Sequence, residues 1–221
     1  MAPTQDEIMK QEIIDHLIWD NRVDASRVKV DVSDGKVILN GTVPHHLAKL
    51  AAVNDVFRVA GIRNVQNSLK VEFPPDTEIP SDEELARKIE NMLRGNDKLE
   101  SSDIHVNARN GIVTLSGTVE TFWGKNMAED VSGSAKGVVD VINNLSVRLK
   151  ETVIDRDIER DINNAYKRSM LVDEDRIGVK VDGGVVHLTG VVSNYLIKNE
   201  VHNIALYTAG VTDVIDEVTI G

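Results

Sequence analysis

Residues Val28–Val43 read VKVDVSDGKVILNGTV. Apolar side chains alternate on both sides of Asp34-Gly35, and a period of two puts every second side chain on one face of a strand. Asp-Gly between two such runs is a strong hairpin signal, because glycine reaches positive φ without a Cβ clash. The stretch returns as IHVNARNGIVTLSGTV at Ile104–Val119 and as IGVKVDGGVVHLTGVV at Ile177–Val192. The turn pair becomes Asn110-Gly111 and then Gly183-Gly184, both suited to the same two-residue turn.

The spacing makes this a repeat protein. Gly35, Gly111 and Gly184 lie 76 and 73 residues apart. The second-strand glycines Gly41, Gly117 and Gly190 keep those offsets, as do Gly61, Gly137 and Gly210, expected to cap a helix. Outward from the hairpin, Thr4–Glu7 and Ser81–Glu84 read as capping boxes. The four-residue recurrences Met9-Ile13-Leu17, Leu85-Ile89-Leu93 and Ile158-Ile162-Tyr166 each give one apolar helix face. A second helix is expected after each hairpin, from Pro44 to Gly61 in the first unit, over 121–136 in the second and over 194–209 in the third. Gly124 and Gly133 fall inside the second of these, and each mid-helix glycine costs about 1 kcal/mol relative to alanine. That helix is expected to be weak or bent. A closing apolar run then gives a third strand.

The expected fold class is α+β: three tandem α-β-β-α-β units, each with two helices packed on one face of a three-stranded sheet. The units span 4–73, 81–149 and 155–221, joined by linkers at 74–80 and 150–154. The first linker, PPDTEIP, is stiffened by proline. Units this small bury a modest share of their surface and are expected to lean on one another.

Composition narrows the function. The net charge is −11, divided as −1, −4 and −6 over residues 1–75, 76–150 and 151–221. No basic face is rich enough to predict nucleic-acid binding. Cysteine is absent, so disulfide and thiolate chemistry are excluded, which is compatible with cytoplasm or periplasm. No apolar run has the length of a membrane span. The segment MAPTQDEIMK lacks the basic and apolar regions of a signal peptide. With Met1 as the natural start, the expected compartment is the cytoplasm; a leader removed upstream would make it the periplasm.

No nucleophile–base pair, HExxH, Walker loop or dinucleotide fingerprint occurs, so no catalytic residue, cofactor or metal is expected. The adjacent His45-His46 would point about 100° apart on a helix and converge on no metal. Asp173-Glu174-Asp175 lacks the ligand alternation of a calcium loop and reads as a solvated acidic loop.

At this point the pattern resembles the BON domain family. The likeness rests on the hairpin, the second-strand glycines and the closing strings AGIRNVQNSLKV (Ala60–Val71), KGVVDVINNLSV (Lys136–Val147) and AGVTDVIDEVTI (Ala209–Ile220). The resemblance covers nearly the whole chain. It implies a non-enzymatic role, binding to phospholipid surfaces and assistance to envelope proteins under osmotic stress. The expected partners are therefore an anionic phospholipid surface or a partly unfolded client protein; the alternative is a protein–protein scaffold that self-associates or docks a partner through exposed aromatics.

The candidate contact residues are those that differ between repeats. Trp19 is matched by Gly95 and Arg168 and reads as an inter-repeat plug or an interfacial anchor. Phe122 is matched by His46 and Tyr195, positions expected to face outward, with packing between repeats preferred over lipid contact. Trp123 is matched by Leu47 and Leu196 and is expected to fill the core. Lys29 and Lys36 fall on the open face of the first sheet and are the candidate basic patch.

Overall fold

A computed structural model describes residues 3–97, 99, 103–149 and 153–221; residues 150–152 of the expected second linker lie outside them. The first unit runs α1 (Gln5–Trp19), β1 (Val28–Ser33), β2 (Lys36–Val43), α2 (His46–Val56) and β3 (Asn64–Val71). The second is α3 (Asp82–Arg94), β4 (Ile104–Arg109), β5 (Ile112–Val119), α4 (Phe122–Gly133) and β6 (Asp140–Val147). The third is α5 (Asp155–Arg168), β7 (Ile177–Asp182), β8 (Val185–Val192), α6 (Tyr195–Leu206) and β9 (Asp213–Ile220).

Among the described residues each unit has its own three-stranded sheet, with the β2-type strand in the middle. The hairpin pair is antiparallel, and the third strand returns parallel to the second after the helical crossover. Val30, Val37, Leu39, Val43 and Leu69 point to the helices and form the first core with Met9, Ile13 and Leu17. The opposite sheet face is solvated. Both expected capping boxes are present, at Thr4–Glu7 and Ser81–Glu84.

The hairpins are held from outside themselves. Asp82, in the first turn of α3, accepts from Asn110 N at 2.7 Å and from Gly111 N at 3.0 Å. Asp155 does the same for Gly183 N (2.9 Å) and Gly184 N (2.8 Å), and Asp6 accepts from Asp34 N at 3.3 Å. The two backbone N–H bonds hold the Asp82 carboxyl below the usual carboxylate range. The second-strand glycine marks a close crossing: a Cβ on Gly41, Gly117 or Gly190 would lie 2.0, 1.9 or 2.2 Å from a carbonyl oxygen of Arg27, Asp103 or Arg176.

The second helices are shorter than their sequence indicates. α2 ends at Val56, and a turn carries the chain to Gly61, so this glycine closes the turn and not the helix. Pro44 lies outside the helix; His45 is the N-cap, its Nδ1 accepting from Ala48 N at 3.0 Å.

Candidate functional site

Thr121 and Asn194 cap α4 and α6 as His45 caps α2, accepting from Gly124 N at 2.9 Å and from Ile197 N at 3.0 Å. The cap fixes the phase of each helix. The core-facing stripe is Ala48-Ala52-Val56 in α2 and Gly124-Ala128-Ser132 in α4, all buried, and Val201-Ala205 in α6. Small side chains on this stripe let the helix lie close to its own unit. Gly124 and Ser132 thus belong to a packed face, and Ser132 Oγ donates back to Ala128 O at 2.7 Å.

That phase turns the first helical residue, His46, Phe122 or Tyr195, sideways into the next unit. His46 is 7 % exposed. Its Nδ1 lies 3.3 Å from Val139 O and 3.8 Å from Asp140 Oδ1, while Lys49 Nζ stands 3.6 Å from the same carboxylate. Phe122, also 7 % exposed, is buried in the third unit's core with Ile158, Ile162 and Tyr166. Tyr195 stacks on Phe57 of the first unit, with ring centroids 3.8 Å apart and planes 8° from parallel. First docks on second, second on third, third on first: the three units close head to tail into a ring.

Phe122 thus packs between repeats, as expected, whereas Trp123 does not fill the core. Trp123 is only partly buried, and its matches Leu47 and Leu196 are 40 % and 65 % exposed. The helix starts one residue after the cap, which rotates these side chains away from the core. Gly133 finds its reason in the same seam: a Cβ there would stand 2.9 Å from His46 Cδ2. Trp19 is 88 % exposed and plugs no seam. Lys29 pairs with Asn40 and Lys36 with Ser33, so Asp31, opposite Ile38, lies between them on the same face. Those two lysines stand at opposite ends of the open sheet and make no continuous basic patch.

Two features escaped the sequence reading. The first is a cleft of about 350 Å³ between the first and second units. Pro44, Leu47, Phe73 and Pro74 form its apolar side, and the segment from Gly133 to Gly137 forms the other. The second is Asp55, fully buried near the end of α2 with neither carboxylate oxygen hydrogen-bonded. Burial, and then the neighbouring Asp20 carboxylate, push its pKa up; Arg58 Nη1, 3.5 Å away, pulls the other way. Asp20 itself is held down to about 2, chiefly by its side-chain hydrogen bonds with Arg22. Among the described residues no three His, Cys, Asp or Glu side chains gather as a metal site, and no helix is long and apolar enough to cross a membrane.

The closing strings also acquire a structural meaning. In β3, β6 and β9 the residue after V-Q or V-I is Asn67, Asn143 or Asp216, and its Oδ1 accepts from the backbone N two residues on, at 3.0, 3.2 and 2.9 Å. The BON domain family model matches residues 5–72, 81–148 and 154–221, one unit at a time. The chain belongs to the BON domain family. This tandem BON protein is 27 % identical over 150 residues to an uncharacterized protein in the gshII 5′ region of Anaplasma centrale, covering 67 % of this chain and 94 % of that one. It is also 27 % identical over 143 residues to the osmotically-inducible protein Y of Escherichia coli (strain K12), covering 63 % and 69 %. Among solved structures it is similar to the C-terminal domain of CdsD, a structural protein of the type III secretion system of Chlamydia trachomatis, at 17 % identity, full coverage of both chains and a TM-score of 0.28.

Proposed function

We propose that this BON protein is a non-catalytic, stress-associated binding protein that holds apolar segments of partly unfolded proteins. The observation that carries the reading is the apolar cleft between the first two units, walled by Leu47 and Phe73. A cleft of about 350 Å³ takes one or two large side chains of an extended segment. Around the ring the helices also present exposed Ile18, Trp19, Leu50 and Leu196, side chains that a folded surface leaves out of its core without evident structural use. The osmotically-inducible name of the Escherichia coli relative supports the stress context. The interrupted lysines and the net charge of −11 weigh against anionic phospholipid as the principal ligand.

The test is suppression of light scattering by an aggregating, reduced and carboxymethylated client protein. The wild-type chain is expected to delay aggregation, and Leu47→Asp, a change at a solvent-facing position, to lose most of the effect without lowering the melting temperature. A Trp123→Phe variant leaves Trp19 as sole reporter, and its emission should move to the blue on client addition. No protection at several-fold excess, or equal protection by Leu47→Asp, refutes the reading. Pelleting with anionic vesicles but no client protection would assign the lipid role instead.

A further inference from the structure

The three seams of the ring use the same sequence position but are unequal. His46 and Phe122 are each 7 % exposed, whereas Tyr195 and the Phe57 beneath it are only half-buried. The first two seams join units that follow one another in the chain. The third joins the last unit to the first and has no covalent link beside it. A cleft of about 340 Å³ opens there, between Gln5, Asp6 and Arg63 on one side and Ser193 and Ile220 on the other. Two residues before Phe57, at the same helix end, sits the buried carboxyl of Asp55. It faces Arg58 in the turn that follows α2, with Asp20 and Arg22 beyond the end of α1.

A head-to-tail interface closes a ring when its two halves meet within one molecule, and joins molecules when they meet between two. We propose that the seam between the third and first units is a releasable clasp whose alternative occupant is a second copy of this chain. In the exchanged dimer one copy's Tyr195 stacks on the other copy's Phe57, and the reverse, so that both clasps are remade. Each chain carries both complementary halves, and the exchange needs no surface beyond the one already in use. The hinge falls at the first–second seam, a polar contact of His46 and Lys49 with Val139 and Asp140, over the 74–80 linker. Phe122, buried in the third unit's core, keeps the second and third units together. The intramolecular clasp has the advantage of high effective concentration, so dimer forms at high protein concentration or after partial unfolding.

The experiment is complementation between two broken clasps. Phe57→Ala and Tyr195→Ala full-length chains are taken separately, and as a one-to-one mixture, through a partially denaturing urea step and back to buffer. Native mass spectrometry then counts monomer, homodimer and heterodimer. The wild type is expected to give dimer that rises with concentration, and each variant alone to give monomer. The mixture, which can form one intact Tyr195–Phe57 stack, should give heterodimer with a dissociation constant roughly tenfold below that of either variant alone. A mixture that stays monomeric, or single variants that dimerise as well as wild type, overturns the proposal. Melting curves check folding of each variant; where an alanine variant unfolds, Tyr195→Leu and Phe57→Leu take its place, with the same two outcomes deciding.

Discussion

Asp55 occupies a position that Val131 and Ile204 hold in the other two units. Replacing it by valine removes a fully buried carboxyl whose oxygens have no hydrogen-bond partner. An unsatisfied buried polar group costs about 1–3 kcal/mol, and more when charged. The variant loses two weak attractions: the side-chain interaction with Asp20, and the 3.5 Å approach of Arg58, whose side chain is 62 % exposed and returns to water at little cost. The expected net effect at neutral pH is a gain of about 1–3 kcal/mol, which for a chain of this size raises the melting temperature by about 2–10 °C.

The pH dependence gives the sharper test. Burial raises the folded-state pKa of Asp55, so in the window between its unfolded and folded values the folded state binds more protons than the unfolded one. Wild-type stability from this group is fully present below the unfolded value and is lost as pH rises through the folded value. Asp20, held down to about 2, stays ionised through that window, so the change reports Asp55. Asp55→Val should therefore gain most near neutral pH, and its advantage should shrink as pH falls toward about 4. Thermal unfolding by circular dichroism at several pH values measures this. A variant that melts lower than wild type at neutral pH, or a gain that does not change with pH, refutes the reasoning.

Phe122→Ala should destabilise the chain by about 3–5 kcal/mol, because it empties a site inside the third unit's core, whereas Trp123→Ala should cost less than about 1 kcal/mol; urea unfolding followed by fluorescence separates the two. Gly133→Ala should lower the melting temperature despite alanine's helix preference of about 1 kcal/mol, since its Cβ meets His46, and the same change in a His46→Ala background should raise it. Asp82→Ala should destabilise at neutral pH. Because the folded pKa of Asp82 is lowered, its contribution is present above the unfolded value and lost as pH falls through the folded one, so the gap between Asp82→Ala and wild type should close in acid.

The strands were legible because a two-residue period and a turn glycine leave little choice of register, and the first helices because Thr4 and Ser81 announce them with capping boxes. The second helices were harder to place. Leu47 and Leu50 are larger apolar residues than Ala48, Ala51 and Ala52, yet the alanines are the ones buried. The buried stripe is small because the helix lies close to its unit. His45 is an uncommon N-cap, and Pro44 before it carries the stronger helix-start signal. A phase difference of one residue on a helix is a rotation of about 100°, enough to carry Trp123 off the core face. Asp55 was invisible for a different reason: an aspartate near a helix end reads as solvated, and only the packing of α1 against α2 buries it.

The signal for the ring was nonetheless in the sequence, spread over two positions instead of one. Counting from the second-strand glycine, the residue five on is His46, Phe122 or Tyr195, and the residue sixteen on is Phe57, Gly133 or Leu206. Each donor meets the receiver of the following unit: imidazole over a glycine, phenyl in the core that Leu206 packs against, tyrosine flat on phenylalanine. Variation at these two positions between repeats is therefore seam identity. A glycine receiver admits the His46 ring at a distance that would collide with any Cβ, and the Phe57 receiver offers a flat face that only another ring matches. Three units of one fold, each able in principle to dock on either of the others, are ordered by such paired differences, because the wrong pairing leaves a void at one seam and a clash at another. The half-buried Tyr195–Phe57 pair is the one seam that covalent connection does not also enforce. It is accordingly the place where the same pairing rule can be satisfied as well by a second molecule as by the first.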